Sequence, residues 1–266
     1  MPAQAPLNGT LGFPAAPHRE ALHMERGELI RTRHWLESVT TSSPALAAQH
    51  GGISMTVTCA VADELLSFWF GDAVSSGAAA RRFIDRCFGH HPDFDRALTE
   101  RFASLPGRVA AGEFAHWRAQ PRTALAALIA LDQLPRNIHR GTPRAYAFDA
   151  AARELAAHAH AAGYPDALHP LEGAFFNLPW EHAEDVELQR RAVAGYVRQH
   201  ARADAEFAPL LKEWVAAGHD HLEVIERFGR FPHRNPILGR ESTAEELAWL
   251  ANGGKHWGQV AAVTPP

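Results

Sequence analysis

The sequence predicts an all-α protein, and three observations carry that prediction. From Val61 onward, apolar residues recur at three- and four-residue spacing almost without interruption. No alternating run rich in Val, Ile and Thr is long enough to build a sheet. The connections are short, which favours antiparallel neighbours in a bundle or a stack of helix pairs. Roughly nine to ten helices are expected, with boundaries uncertain by a few residues.

The elements follow in order. Residues 1–54 are rich in Pro, Gly, Ser, Thr and Ala, and ordered-looking sequence begins at Met55. That stretch is expected to be a disordered or mis-assigned extension, with Met55 as the start. It has no charged-then-apolar secretory pattern, and Glu20, Glu25, Glu28 and Glu37 argue against a transit peptide. Residues 62–70 place Leu65, Leu66, Trp69 and Phe70 on one face, and Gly71 stops the helix. Residues 78–88 follow with Phe83 and Cys87. Pro92 then opens a helix with Asp93 and Asp95 in its first turn. A short broken piece covers 109–117.

Pro121 suits the start of a helix over 123–134, which is apolar on most sides and therefore central. Residues 143–163 form the next helix, ended by Gly163. Another runs through 171–178 and across Pro179 into 180–200. Residues 207–217 and 219–227 are expected as two helices split by Gly218. Ser242, with Glu245 three residues on, reads as a capping box. From 253 the tail is expected to fray. The domain proper is therefore 55–252.

Composition bounds the function. The chain has 266 residues and is 46% hydrophobic, enough for one sizeable core. A net charge of −4 and a pI of about 6.5 give no footprint for nucleic acid or an anionic membrane. No apolar run reaches the ~18 residues of a membrane span. Cys59 and Cys87 lack metal or redox spacing, so a reducing, cytoplasmic setting is expected. The 17 histidines add modest weight to metal or acid–base chemistry.

Three segments break the local rules. LDQLPRNIHR, residues 131–140, ends the most apolar helix with Asp132, Gln133, Arg136 and Asn137. Pro135 is expected to terminate that helix, so these groups project from a kink beside the core. An ordinary Asp132–Arg136 ion pair, with Asn137 as a cap, is an equally weighted reading. PWEHAEDVELQR, residues 179–190, puts His182, Asp185 and Gln189 on one helical face. Glu181 and Glu184 read as first-turn acids favoured by the helix dipole. IERFGRFPHRNPILGRE, residues 225–241, carries Arg227, Arg230, Arg234 and Arg240 with His233 and Asn235 among aromatics, Gly and Pro. Guanidinium forks grip carboxylates or phosphates bidentately, so this loop aims fixed cations at an anion. The arginines could instead be neutralised internally by Glu181, Glu184, Asp185 or Asp132.

Together these segments predict a polar pocket between helices, walled by Trp69, Trp180 and several Phe, for a small anionic molecule or a peptide. Arg136, Arg230 and Arg234 would bind the anion, with Asp132, Gln133, Asn137, Asn235 and Arg240 beside them. His182 and His233 are the acid–base candidates, with Glu184 or Asp185 orienting an imidazole. No spacing specifies a metal or cofactor. The alternative is a scaffold that binds peptides on a concave face of stacked helices.

The chain also resembles a bacterial family known as "domain of unknown function 924". The resemblance rests on LLSFWFG (65–71), HPDFDRAL (91–98), LAALIALDQLPRNIHRGTPRAYAFD (125–149), FNLPWEHAEDVELQ (176–189) and the stretch over 221–250. It implies a cytoplasmic bacterial protein with a tetratricopeptide-like superhelical fold, and no established activity. Trp180 departs from the Leu or Met more frequent at that position, which bears on pocket size.

Overall fold

A computed structural model of the chain describes residues 51–89 and 91–259, with side chains from Ala60 onward. The architecture is all-helical, with no strand among the described residues. Helix α1 (Gly51–Phe70) is followed by α2 (Gly77–Phe88), α3 (Pro92–Phe102) and α4 (Leu105–Ala110). A 3-10 turn (Ala115–Ala119) leads into α5 (Pro121–Leu128), a π-helical turn (Ile129–Gln133) and α6 (Leu134–Ile138). Another 3-10 turn (Pro143–Tyr146) precedes α7 (Asp149–Ala161), α8 (Tyr164–Ala167) and α9 (Pro170–Ala174). The turn Phe175–Asn177 joins α10 (Leu178–Glu181), then α11 (Val186–Arg202) and α12 (Ala208–Phe228). The turn Pro232–Arg234 and α13 (Ala244–Ala251) complete the chain. Joining the segments that abut leaves eleven helices among the described residues, close to the nine or ten expected. The expected boundary at Met55 falls inside α1, and residues 1–50 lie outside the described residues.

α5 and the π turn run through the middle. Every residue from Ala124 to Leu131 that is apolar is at most 2% exposed, as its all-round apolarity requires. Trp69, Phe70, Phe83, Phe175 and Trp214 pack around this axis in tilted and edge-on ring contacts. A second, smaller core joins Val224, Ile225 and Phe231 to Phe228, Trp249 and Trp257. The candidate site lies between the two.

Four local expectations need correction. Pro135 does not end its helix. The backbone widens first: Leu134 N–H donates to the Ile129 carbonyl, five residues back. A π turn gives the proline ring room and sends the chain on as α6. Gly218 does not split α12 either. A Cβ there would lie 3.0 Å from the Tyr196 ring and 3.3 Å from Val193, so glycine is the residue that lets α11 and α12 pack closely. The capping box sits one residue later than expected, with Thr243 and Glu246 as its two partners. Finally, the tail does not fray at 253. Trp257 stacks on His221, and buried Gln259 accepts from Gly141 N–H and donates to the Arg136 carbonyl. Trp257 holds a left-handed φ of 44°, a strain that these contacts maintain.

Candidate functional site

A cavity of about 370 Å³ opens between the main core and the C-terminal layer. The three rule-breaking segments do converge on it, from α6, α10 and the 229–241 loop, but only part of each faces inward. Gln133, Arg136, Asn137, His182, His233 and Arg234 line it. Asp132 supports that lining from behind. Arg230, Asn235, Arg240, Glu184 and Asp185 do not line it.

Those last residues have structural partners instead, which corrects their expected roles. Arg230 binds Glu246 through two hydrogen bonds, at 2.6 and 2.8 Å. Arg240 binds Glu184 in the same way, at 2.6 and 2.8 Å, and also donates to Asn235 Oδ1 and the Phe231 carbonyl. Glu184 accepts in addition from Phe231 N–H, and Asn235 donates to Ser242 and Glu246. This clamp ties α13 and the loop to the segment before α11. It holds Glu246 down to about 2, chiefly through Arg230, and keeps Glu184 below its usual range against its burial. Asp185 is the N-cap of α11, accepting from Leu188 N–H at 2.9 Å, because α11 begins after the expected shared face rather than through it. Glu184 therefore precedes α11 and is not a first-turn acid, whereas Glu181 sits in the single turn of α10.

The inward half is different. Asp132 is fully buried and anionic. Arg136 approaches it at 3.1 Å, Gln133 donates to it at 2.6 Å, and His182 Nδ1 lies 2.9 Å away. Burial opposes its charge, but Arg136 and His182 outweigh burial and hold the carboxyl well below the usual range. The equally weighted ion pair of Asp132 and Arg136 is thus present, and it is also part of the site. A carboxylate can only accept, so the imidazole proton of His182 sits on Nδ1 and leaves the Nε2 lone pair free. Burial, then Arg136, lowers the His182 pKa and keeps the ring neutral. The orienting acid is therefore Asp132, not Glu184 or Asp185. Arg136 is completed by Asp149 at 2.9 Å.

Arg234 has no such completion. It is 7% exposed, and its guanidinium lies over the Phe231 ring at 4.3 Å and the Tyr146 ring at 4.8 Å. It donates through Nη1 to the His182 carbonyl at 2.9 Å, while its buried Nε has no partner. Among the described residues no carboxylate pairs with it within 4.0 Å. Burial lowers its pKa, and the more distant charges of Asp149 and Glu184 do not offset it. His233 is 4% exposed, its Nδ1 is unpaired, and burial followed by Arg234 pushes it down to about 2.

Several lining groups escaped the sequence reading. Glu181 is 5% exposed, and burial raises its carboxyl to about 8, so it is largely protonated at neutral pH. The Tyr196 hydroxyl lies beside Glu181 and opposes part of that rise. His221 donates Nδ1–H to the Ala217 carbonyl at 2.8 Å and is pushed down to about 3 by burial. Ile84, Phe88, Leu178, Leu210 and Trp214 form an apolar wall. Trp69 belongs to the main core and Trp180 stacks on His160 at 4.1 Å, so neither is the expected pocket wall. Apolar residues at helical spacing read as core. The signal available for Glu181 was a charged residue within an otherwise buried run, Phe175 to Trp180.

Among the described residues no group of three or more His, Cys, Asp or Glu side chains is arranged to hold a metal ion, and no helix is long and apolar enough to cross a membrane. No curated protein matches this chain. A solved structure of a protein of unknown function from Agrobacterium tumefaciens is similar, with 34% identity and a TM-score of 0.62, over 74% of this chain and 99% of that one. A family model described as bacterial protein of unknown function (DUF924) matches residues 65–254. The chain belongs to that bacterial family.

Proposed function

We propose that the cavity binds a small anionic molecule and performs acid–base chemistry on it. The observation that carries this reading is Arg234, a buried guanidinium without a carboxylate partner, beside the Asp132–His182 pair in one cavity. Leaving a charge unpaired in a protein interior is costly, and an anionic ligand would remove that cost. His182 Nε2 is the base, with Asp132 positioning the ring. Glu181, protonated at neutral pH, is the acid. Arg136 is held by two carboxylates and shapes the anion site without being its main grip. The cytoplasm is the setting we favour, in keeping with the free, buried Cys87 thiol. A peptide-binding scaffold has less support, because the large exposed apolar residues among the described ones, Val74, Phe88, Val197 and Leu247, are too few for a groove.

Thermal melts with a panel of small anions (acetate, phosphate, sulfate and longer carboxylates) test the reading. At least one should raise Tm in the native chain, and none should do so in a folded Arg234→Ala variant. If Arg234→Ala unfolds, Arg234 is structural and the reading fails.

A further inference from the structure

The charge balance and the wall of the same cavity say what kind of anion fits; this step rests on the anion-binding reading above. Three arginines line the cavity. Arg136 is matched by Asp132 and Asp149, and Arg140 by Asp95 at 3.3 Å. Arg234 remains, a single fork without a counter-ion. One free guanidinium complements one negative charge; a phosphate dianion calls for more donors, as from a glycine-rich loop or a second free cation. Neither is present among the described residues that line the cavity. The planar fork, held between two aromatic rings, matches the planar, two-oxygen geometry of a carboxylate.

Another part of the lining is apolar and comes from α2, α10 and α12. Trp214 meets Phe88 edge-on at 5.7 Å, with Leu210, Ile84 and Leu178 also on that side of the cavity. Phe88 is 41% exposed, unusual for a phenylalanine, and its place in the wall gives that exposure a use. A small hydrophilic anion would leave this surface without a partner.

We infer that the ligand is an amphipathic monocarboxylate, with its carboxylate on Arg234 and its alkyl or aryl body against Trp214, Leu210 and Phe88. Calorimetric titration with octanoate, 3-phenylpropionate, acetate, succinate and inorganic phosphate tests this. Octanoate or 3-phenylpropionate should bind at least tenfold more tightly than acetate, succinate or phosphate. Phe88→Ser, a change at a 41%-exposed position, should shrink that advantage, and Trp214→Ala should abolish it if the variant folds. Equal binding of acetate and octanoate, or a preference for succinate or phosphate, overturns the inference while leaving the anion reading intact. Binding of none of the five overturns the inference. The absence of any anion effect across the wider thermal panel would remove the anion reading too.

Discussion

Arg230 and Arg240 each meet a carboxylate fork to fork, whereas Arg234, between them in sequence, meets none. The same loop also divides its polar neighbours. Asn235 joins the clamp with Glu246, and His233 faces the cavity. Yet Arg234 is the most buried of the three, where an unpaired charge costs most. The difference teaches that charge content alone does not identify a binding loop. Satisfied charges hold the loop in place, and the unsatisfied one marks where something else is meant to go.

Substitutions can break or sharpen that contrast. The largest effect is expected from Asp132→Ala, which leaves Arg136 and His182 without their shared carboxylate. Stability should fall by about 3–5 kcal/mol, measured by urea unfolding. Arg240→Met opens the clamp and leaves Glu184 with only Phe231 N–H. A loss of about 2–3 kcal/mol, or roughly 6 °C in Tm, is expected, with ligand affinity little changed in the folded fraction. Arg234→Gln should do the reverse: Tm within about 2 °C of the native value, and ligand affinity lower by about 2 kcal/mol, near thirtyfold.

The smallest effect concerns pH. The Glu181 carboxyl rises from its usual 4.5 to about 8 on folding, so the folded state keeps a proton that the unfolded chain releases. Stability from this group is therefore present below about 4.5 and lost as pH rises towards 8. The difference in stability between native chain and Glu181→Gln should grow over that window in favour of the variant. His233, whose pKa is lowered, acts in both proteins and cancels from the difference.

Much of the fold was legible because helical periodicity is local. The central placement of α5 followed from its apolar faces, and α2 and α3 begin within a residue of the expected 78 and Pro92. The convergence of LDQLPRN, PWEHAED and FGRFPHRN was legible too, since each puts charge where burial was expected. Internal neutralisation by Glu184 or Asp132 was one reading of the sequence, but which arginine takes which carboxylate could not be read. Glu246 is 16 residues from Arg230, and Glu184 is 56 from Arg240, so tertiary folding alone chooses these partners. The π turn hid Asp132 in the same way: sequence spacing assumes 3.6 residues per turn, and a widened turn changes which side chains face the core. The Gly residues of the tail gave no sign that Trp257 and Gln259 supply groups that the site covers and bonds.

The central claim is that Arg234 is free for a ligand while Arg240 is spent on the fold. It is tested most directly by melting the native chain, Arg234→Gln and Arg240→Met with and without 3-phenylpropionate. The account predicts that Arg234→Gln melts like the native protein but gains nothing from the ligand, and that Arg240→Met melts lower yet still gains. A variant pattern with these roles exchanged, in which Arg234→Gln loses stability and Arg240→Met loses the ligand shift, would contradict it.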